Sequence, residues 1–277
     1  MSSFLADLFG LFKSKPKPVP APVPAPVPTL PKPVVPPIFP IDKILLAAAT
    51  SDISRYKWND RGRAPIGYIK GMAVVYGKLL KRLAAQDKEV LAMVRVIDGP
   101  GDVFDHYRTM LEDMGIVTTG GTPVERLRAL FVILFGLGMR ESSGRYNEGR
   151  DMSASNDDAD NAESGVFQQS WDSYTLRKEK LPELPKLLDI YSGNQEGFKF
   201  IFREGVNEKI SHISGTGDGA KFQRVVKDKP AFAVEAAALG LRVVYSHWGP
   251  IVRYEVEVRP EAVELLRKVE NIIGEMK

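Results

Sequence analysis

The run ALFVILFGLGM, from Ala129 to Met139, is the most apolar segment of the sequence, and it ends abruptly on Arg140 and Glu141. Because this run is apolar on every side, we expect a helix that other helices enclose. The residues SSG that follow at positions 142–144 are where the chain leaves the core. The sequence therefore predicts a buried central helix that carries a carboxylate at its end.

The start of this helix has a clear capping signal. The tetrapeptide TPVE at positions 122–125 offers an N-cap threonine, a proline at the first helical position and a capping-box glutamate. Gly136 and Gly138 weaken the helix, and they would let a neighbouring backbone or a ligand come close. We expect one helix from this cap to Glu141.

Most other strong signals between Ile41 and Lys277 are also helical. Apolar residues at helical spacing, the capping residue Asp102 and prolines at helix starts indicate further helices. These predicted helices cover Met72 to Leu83, Val103 to Met114, Pro230 to Val244 and Pro260 to Ile273. In the second of them, Met110 is expected on the buried face. Only RYEVEV, at positions 253–258, alternates like a strand, so the predicted fold is mainly α-helical.

Composition is that of an ordinary globular protein. Of the 277 residues, 44% are hydrophobic and 26% are charged, which allows a real core. The formal charge of +3 is too small to indicate nucleic-acid binding. The absence of cysteine excludes disulfides and cysteine-based zinc sites. No apolar run approaches the roughly 20 residues that span a bilayer.

The N-terminal part differs in composition from the rest. Twelve of the 25 residues from Pro16 to Pro40 are proline, so this segment is predicted to be an extended, disordered tether. Residues 1–15 are predicted to be a short amphipathic segment, without the features of a secretory signal. Residues 1–40 are candidates for docking on a membrane or a protein. Residues 41–277 are predicted to fold as one domain, with its motifs at about 122–250.

The chemistry is expected at Glu141. A carboxyl group at the end of an apolar helix loses hydration, which raises its pKa. A raised pKa suits a general acid that works near neutral pH. The alternative is a structural glutamate that pairs with Arg140, Arg145 or Arg150, because such a pair would lower the pKa and weaken the acid role.

Three elements in this order resemble the lysozyme-like superfamily, in particular lytic transglycosylases and goose-type lysozymes. The first is Glu141-Ser142 at the end of the apolar helix. The second is GVFQ at positions 165–168, which is similar to a Gly-Leu-Met-Gln-like segment with both middle residues exchanged. The third is RVVYSHWGP at positions 242–250. It is similar to a helix end Ala-x-x-Tyr-Asn-x-Gly-Pro, with Arg for Ala, Ser for Asn and one extra residue before the glycine.

The resemblance implies a lysozyme-like helical domain with a saccharide cleft. Its substrate would be peptidoglycan, cleaved at the β-1,4 bond between N-acetylmuramic acid and N-acetylglucosamine, without a metal or other cofactor. Glu141 would protonate the glycosidic oxygen. The residues that the resemblance assigns to the saccharide are Ser142, Gly165, Val166, Phe167, Gln168, Tyr245 and Trp248. For Tyr245 and Trp248, plain core packing is the alternative.

The second half of the reaction is left open. Hydrolysis with inversion needs a second carboxylate about 6.5–9.5 Å from the acid, whereas a transglycosylase closes the muramyl 6-hydroxyl onto the anomeric carbon. The candidate carboxylates are Asp151, Asp157, Asp158, Asp160, Glu163 and Asp172. By the resemblance to goose-type lysozymes, Asp151 and Asp172 are the predicted catalytic partners of Glu141.

The setting and the competing functions follow from these features. The tether and the missing signal favour a phage-associated lysin, or a bacterial protein brought to the cell wall or periplasm by dedicated machinery. A non-catalytic lysozyme-like protein that binds glycan or a partner, with the proline-rich segment as a docking arm, is the alternative. Asn156, Asp158 and Asp160 alternate as in an EF-hand. The sixth and twelfth positions of that loop, Asn161 and Phe167, do not fit calcium binding.

Overall fold

α-Helices make up most of the residues that the computed structural model describes, which are 38–97, 101–150, 158–193, 195–207 and 212–275. The prediction of a mainly helical fold is confirmed. The helices are α1 (Ile41–Ala49), α2 (Ile66–Ala84), α3 (Lys88–Val94), α4 (Val103–His106), α5 (Arg108–Asp113), α6 (Pro123–Ser142), α7 (Trp171–Lys180), α8 (Glu183–Ser192), α9 (Lys199–Phe202), α10 (Gly217–Asp228), α11 (Pro230–Val244), α12 (Gly249–Val252) and α13 (Pro260–Gly274). Two short antiparallel strands, β1 (Lys57–Trp58) and β2 (Gly62–Arg63), form a small hairpin.

Helix α6 begins where the sequence predicts and ends one residue later. Thr122 and Glu125 form the expected capping box. The Thr122 hydroxyl accepts from the Glu125 N–H at 3.2 Å, and the Glu125 carboxylate accepts from the Thr122 N–H at 2.7 Å. At the other end the helix includes Ser142, and Ser143 stops it in the left-handed conformation with a φ of 55°. A left-handed residue at this position lets the last carbonyls of a helix find donors.

Helix α6 lies at the centre of the hydrophobic core. It packs against α2, α3, α11, α12 and α13, and all of its residues from 126 to 139 are buried. A Cβ on Gly136 would overlap the carbonyl oxygen of Glu257, and a Cβ on Gly138 would overlap the hydroxyl of Tyr68. The close approach predicted at both glycines is therefore confirmed, and other parts of the protein occupy the space.

Two further long helices also match the prediction. Helix α11 has the predicted bounds, and α13 runs one residue beyond the predicted end. Helix α2 starts before the predicted segment and is joined to α6 by Tyr68, whose hydroxyl lies 3.0 Å from the carbonyl oxygen of Leu134 and 2.9 Å from that of Phe135. Among the described residues, no helix has the length and apolarity needed to cross a bilayer.

The single helix predicted over positions 103–114 is wrong. The cap at Asp102 is confirmed, since its carboxylate accepts a backbone N–H of the first turn at 3.3 Å. The helix nevertheless breaks at Tyr107 into α4 and α5. Beyond this break Leu111 stays in the core, whereas Met110 is 40% exposed rather than buried.

The strand predicted at positions 253–258 is also wrong, since these residues form a turn and an irregular segment. The alternation of apolar and polar residues in this stretch reflects alternating burial of side chains, without the pairing of a strand. Val256 is buried, whereas Glu257 accepts a hydrogen bond from the Tyr56 hydroxyl at 2.6 Å. The backbone of Glu257 packs against Gly136 of α6. The neighbour of this segment is therefore a helix rather than a strand.

The described part begins at Ile38 and forms one unit. Its first helix starts at Ile41, and Phe39 packs against the core just before that helix. The predictions for residues 1–15 and for most of the proline-rich segment 16–40 lie outside the described residues.

Candidate active site around Glu141

Glu141 is the last residue but one of α6, at the point where the helix leaves the core. The helix before it is buried, and Glu141 itself is half-buried. Ser142 behind it is buried, and Ser143 turns the chain away in the left-handed conformation. The core therefore holds the backbone of Glu141 rigidly while its carboxyl group lies at the boundary with solvent.

Burial raises the pKa of Glu141 to about 7, and the negative charge of Glu163 adds to this effect. The positive charges of Arg61, Arg253 and Arg140 act in the opposite direction. Desolvation prevails because the apolar end of α6 replaces part of the hydration shell of the carboxylate. A carboxyl group with this pKa is partly protonated near neutral pH and can act as a proton donor.

The arginines next to Glu141 in the sequence pair elsewhere. Arg140 lies 3.3 Å from the carboxylate of Glu255, and Arg145 lies 2.5 Å from that of Glu148. Among the described residues, none forms a hydrogen bond or an ion pair with Glu141. The interpretation of Glu141 as a structural, tightly paired glutamate is therefore not favoured.

Ser142 joins the end of α6 to the GVFQ segment at positions 165–168. Its hydroxyl lies 2.9 Å from the carbonyl oxygen of Val166 and 3.0 Å from that of Gly138. The N–H of Gly165 donates to the carbonyl of Glu148 at 2.9 Å, which ties the same segment to the chain after α6. The first two elements of the resemblance thus lie side by side. Ser142 itself is buried and engaged with these carbonyls, so it positions the segment.

The GVFQ segment is a tight, internally bonded turn. Gly165 and Gln168 both have positive φ angles, 75° and 45°, and the amide Nε2 of Gln168 donates to the Gly165 carbonyl at 3.0 Å. The side chains of Val166 and Phe167 are buried, so only the backbone of these two residues is a candidate for contact with a saccharide.

Trp248 is a buried residue that contacts the GVFQ segment. The indole is 2% exposed, its Nε1 donates to the Phe167 carbonyl at 3.0 Å, and the Arg177 guanidinium lies 4.9 Å from its ring centroid. The core-packing alternative describes this residue better than saccharide binding. Tyr245 is half-buried, and its ring lies 5.0 Å from that of His106.

Among the candidate second carboxylates that the structure describes, Glu163 acts most strongly on Glu141. It is exposed and lies two residues before the GVFQ segment. Asp172 lies in the first turn of α7, where its N–H donates to the Asp160 carbonyl at 2.9 Å. The second predicted partner, Asp151, lies outside the described residues.

Two charged residues near Glu141 could not be found from the sequence. Arg61 belongs to the turn between β1 and β2, and Arg253 follows α12. Both act on the charge of Glu141, although each is far from it in the chain. No local motif surrounds either residue, so only the fold brings them to the site. Glu163, in contrast, could be found from the sequence because it lies two residues before the GVFQ segment.

Neither a protein-family model nor a curated protein nor a solved structure matches this chain. Only the geometry and electrostatics around Glu141 and the three sequence elements therefore indicate a function. Two of those elements, Glu141-Ser142 and GVFQ, are in direct contact, and the third reaches GVFQ through Trp248.

Proposed function

We propose that the protein cleaves the glycan strand of peptidoglycan at the β-1,4 bond between N-acetylmuramic acid and N-acetylglucosamine, as a lysozyme-like lytic transglycosylase or lysozyme. One observation carries the proposal. Glu141 is a half-buried carboxyl group at the end of a buried apolar helix, with a pKa raised to about 7 and no direct partner among the described residues. The contacts that join the three sequence elements support it.

Glu141 supplies the proton in the first step of this reaction. Its protonated carboxyl group donates to the glycosidic oxygen as the bond from that oxygen to the anomeric carbon breaks and an oxocarbenium-like charge develops on the sugar. A pKa close to the working pH keeps the acid form populated and still allows the proton to leave. The carboxylate that remains faces the positive sugar ring and stabilises it.

The second step has two forms. In a transglycosylase, the ionised Glu141 takes the proton of the muramyl 6-hydroxyl, and that oxygen bonds to the anomeric carbon to give a 1,6-anhydro product. In an inverting lysozyme, a second carboxylate activates water, and Glu163 is the described acidic residue that acts most strongly on Glu141. Glu163 therefore takes the place of Asp172 as the described residue to test for this role.

Clearing of a peptidoglycan suspension by purified protein tests the assignment. We expect wild type to clear the suspension and Glu141→Gln to lose the activity, because the amide has no acidic proton but nearly the same shape. Glu264→Gln is a matched control, since Glu264 is an exposed glutamate of α13 and should keep full activity. Equal clearing by wild type and Glu141→Gln, or no clearing by wild type, would contradict the proposal and favour the non-catalytic alternative.

The released fragments distinguish the two second steps. Mass spectrometry should detect 1,6-anhydro ends if the enzyme is a transglycosylase and reducing ends if it is a lysozyme. Glu163→Gln adds a kinetic criterion. A loss of roughly 10²-fold or more together with reducing ends would assign Glu163 as the base. Nearly unchanged activity together with anhydro ends would leave Glu141 as the only acid–base residue.

A further inference from the structure

A second site lies near the other end of α6, in a cavity of about 230 Å³. Arg126, the fourth residue of the helix, lines it, and the fifteen residues from there to Glu141 span roughly 22 Å of helix. Six charged side chains line this cavity, namely Arg95, Arg108, Arg126, Arg242, Asp102 and Asp105. With four arginines and two aspartates, the described part of the lining carries a formal charge of +2.

Both aspartates of the cavity are already paired. Asp102 binds Arg242 through two hydrogen bonds, from Nε to Oδ1 at 3.0 Å and from Nη2 to Oδ2 at 2.8 Å. Asp105 pairs with Arg108, three residues later on the neighbouring short helix. These two pairs are neutral, so the positive charge of the cavity resides on the remaining two arginines.

Arg126 is a buried cation that has no carboxylate partner among the described residues. It is 9% exposed, its Nε donates to the Val94 carbonyl at 2.5 Å, and its Nη1 donates to the Gly121 carbonyl. No hydrogen bond from Nη2 to the described part of the protein is present. Burial and the charge of Arg242 lower the pKa of Arg126. The carbonyls fix the direction of the guanidinium, but no described carboxylate forms an ion pair with it.

Arg95 is the second uncompensated cation of the lining. Its side chain is exposed, and within the described ranges it forms neither a hydrogen bond nor an ion pair. Its backbone carbonyl accepts from Arg242 at 2.8 Å, so the chain at Arg95 is anchored while its guanidinium is available. Thr118 and Thr119 add two hydroxyl groups to the same cavity.

We propose that this cavity binds a phosphate group in its dianionic form. Two uncompensated guanidinium groups match a charge of about −2 better than the single charge of a carboxylate, and phosphate esters carry about −1.5 to −2 at neutral pH. Guanidinium forks bind phosphate oxygens in pairs, and the threonine hydroxyls can donate to the oxygens that remain. The cavity is smaller than those of drug-sized ligands, so a phosphomonoester of a small molecule fits it. This inference is independent of the proposed glycan cleavage.

Calorimetric titration of the full chain with inorganic phosphate tests the proposal. We expect saturable binding to wild type, with acetate at matched ionic strength binding at least tenfold more weakly. Arg95→Ala should weaken the phosphate affinity roughly tenfold to hundredfold, the usual range for losing one charged hydrogen bond. Arg224→Ala is the matched control because Arg224 is an exposed arginine of α10 outside the cavity, and it should bind phosphate like wild type.

Arg126→Gln provides a second variant, used after its thermal unfolding has shown a cooperative transition. It should also lose phosphate binding, since it removes the buried charge. The proposal is overturned if wild type shows no saturable binding, if acetate binds as well as phosphate, or if Arg95→Ala and Arg224→Ala bind phosphate equally. Glycerol 3-phosphate in place of inorganic phosphate distinguishes a phosphomonoester site, which it should occupy more tightly, from a site for the free ion.

Discussion

Two glutamates lie in apolar helices of this protein, and their surroundings differ. Glu235 is in the middle of α11 and is 2% exposed. Its carboxylate accepts from Arg82 at 2.6 Å and from the Tyr191 hydroxyl at 2.7 Å. Glu141, at the end of α6, is half-buried and has no such partner among the described residues.

Pairing, more than burial, distinguishes the surroundings of these two carboxylates. Burial raises the pKa of both residues. At Glu235 the charge of Arg82 and the hydroxyl of Tyr191 oppose the effect, so a buried ion pair links α11 to α2. At Glu141 the opposing charges act without direct contact, and the carboxyl group stays available to a substrate.

The largest expected effect separates the two residues by activity. Glu141→Gln should lower the rate of glycan cleavage by roughly 10²- to 10⁴-fold, the usual contribution of a general acid. Glu235→Gln should leave the rate per folded molecule within about threefold of wild type, because Glu235 is enclosed in the core and cannot reach a substrate. Initial rates, corrected for the folded fraction by circular dichroism, provide the measurement. Similar losses in both variants would remove the distinction.

The second largest expected difference between Glu235 and Glu141 is in the stability of their variants. Glu235→Gln should lower the free energy of unfolding by about 3 kcal/mol, because it leaves the half-buried Arg82 without its shortest ion pair. This loss is at the low end of the range for breaking a buried ion pair, because Arg82 keeps its contact with Asp87 at 3.0 Å. Glu141→Gln should not destabilise the protein near neutral pH. Urea unfolding of both variants beside wild type measures the difference, and equal midpoints would contradict it.

The pH dependence of stability sharpens the comparison further. The pKa of Glu141 in the folded protein, about 7, lies above its ordinary value of 4.5, so the folded state holds this proton more tightly than the unfolded state. Its stabilising contribution is full below about pH 4.5 and is lost as the pH rises through about 7. At about pH 8, Glu141→Gln should therefore be more stable than wild type by roughly 1–2 kcal/mol, after allowance for solvent screening.

Thermal unfolding of wild type and Glu141→Gln across this pH range measures that contribution. The two curves should converge toward about pH 4.5 and separate toward about pH 8. Glu264→Gln again serves as the control and should run parallel to wild type. A constant difference between wild type and Glu141→Gln at all pH values would show that Glu141 does not titrate in this range.

The smallest effect concerns the contact beside Glu141. Ser142→Ala removes the hydroxyl that lies between the carbonyls of Val166 and Gly138, and it should cost about 1 kcal/mol of stability. Because the GVFQ segment would be held less firmly, we expect the KM for peptidoglycan to rise more than kcat falls. Ser143→Ala would change a residue with a left-handed backbone. Ser54→Ala is the better control, because it also removes a hydroxyl that donates to two backbone carbonyls.

The central helix could be predicted from the sequence because its signals are local. The capping box, the apolar run and the two glycines all lie within α6, and each has the expected role. The alternation at positions 253–258 misled for the opposite reason, since strand pairing depends on a partner elsewhere in the chain. The same limit applies to Met110, whose exposure is decided by a break that tertiary packing imposes.

The candidate site also has parts that could be predicted from the sequence and parts that could not. Glu141 could be predicted because the loss of hydration at the end of an apolar helix, which raises a pKa, can be read from the local sequence. The charges that balance it could not, since Arg61 and Arg253 are remote in sequence. Trp248 carried a motif signal, but its hydrogen bond to the Phe167 carbonyl depends on how the chain before α12 and the GVFQ segment meet. The pair of Arg82 with Glu235 likewise links distant helices.

The close contacts at Gly136 and Gly138 have a consequence for protein engineering. Replacing helix glycines by alanine is a common route to greater thermostability, since it reduces the freedom of the unfolded chain. In α6 the added methyl group would meet the Glu257 carbonyl or the Tyr68 hydroxyl, so the usual improvement would reverse sign. Stabilising substitutions should therefore be placed in the exposed helices of this protein, and the two glycines of its central helix should be kept.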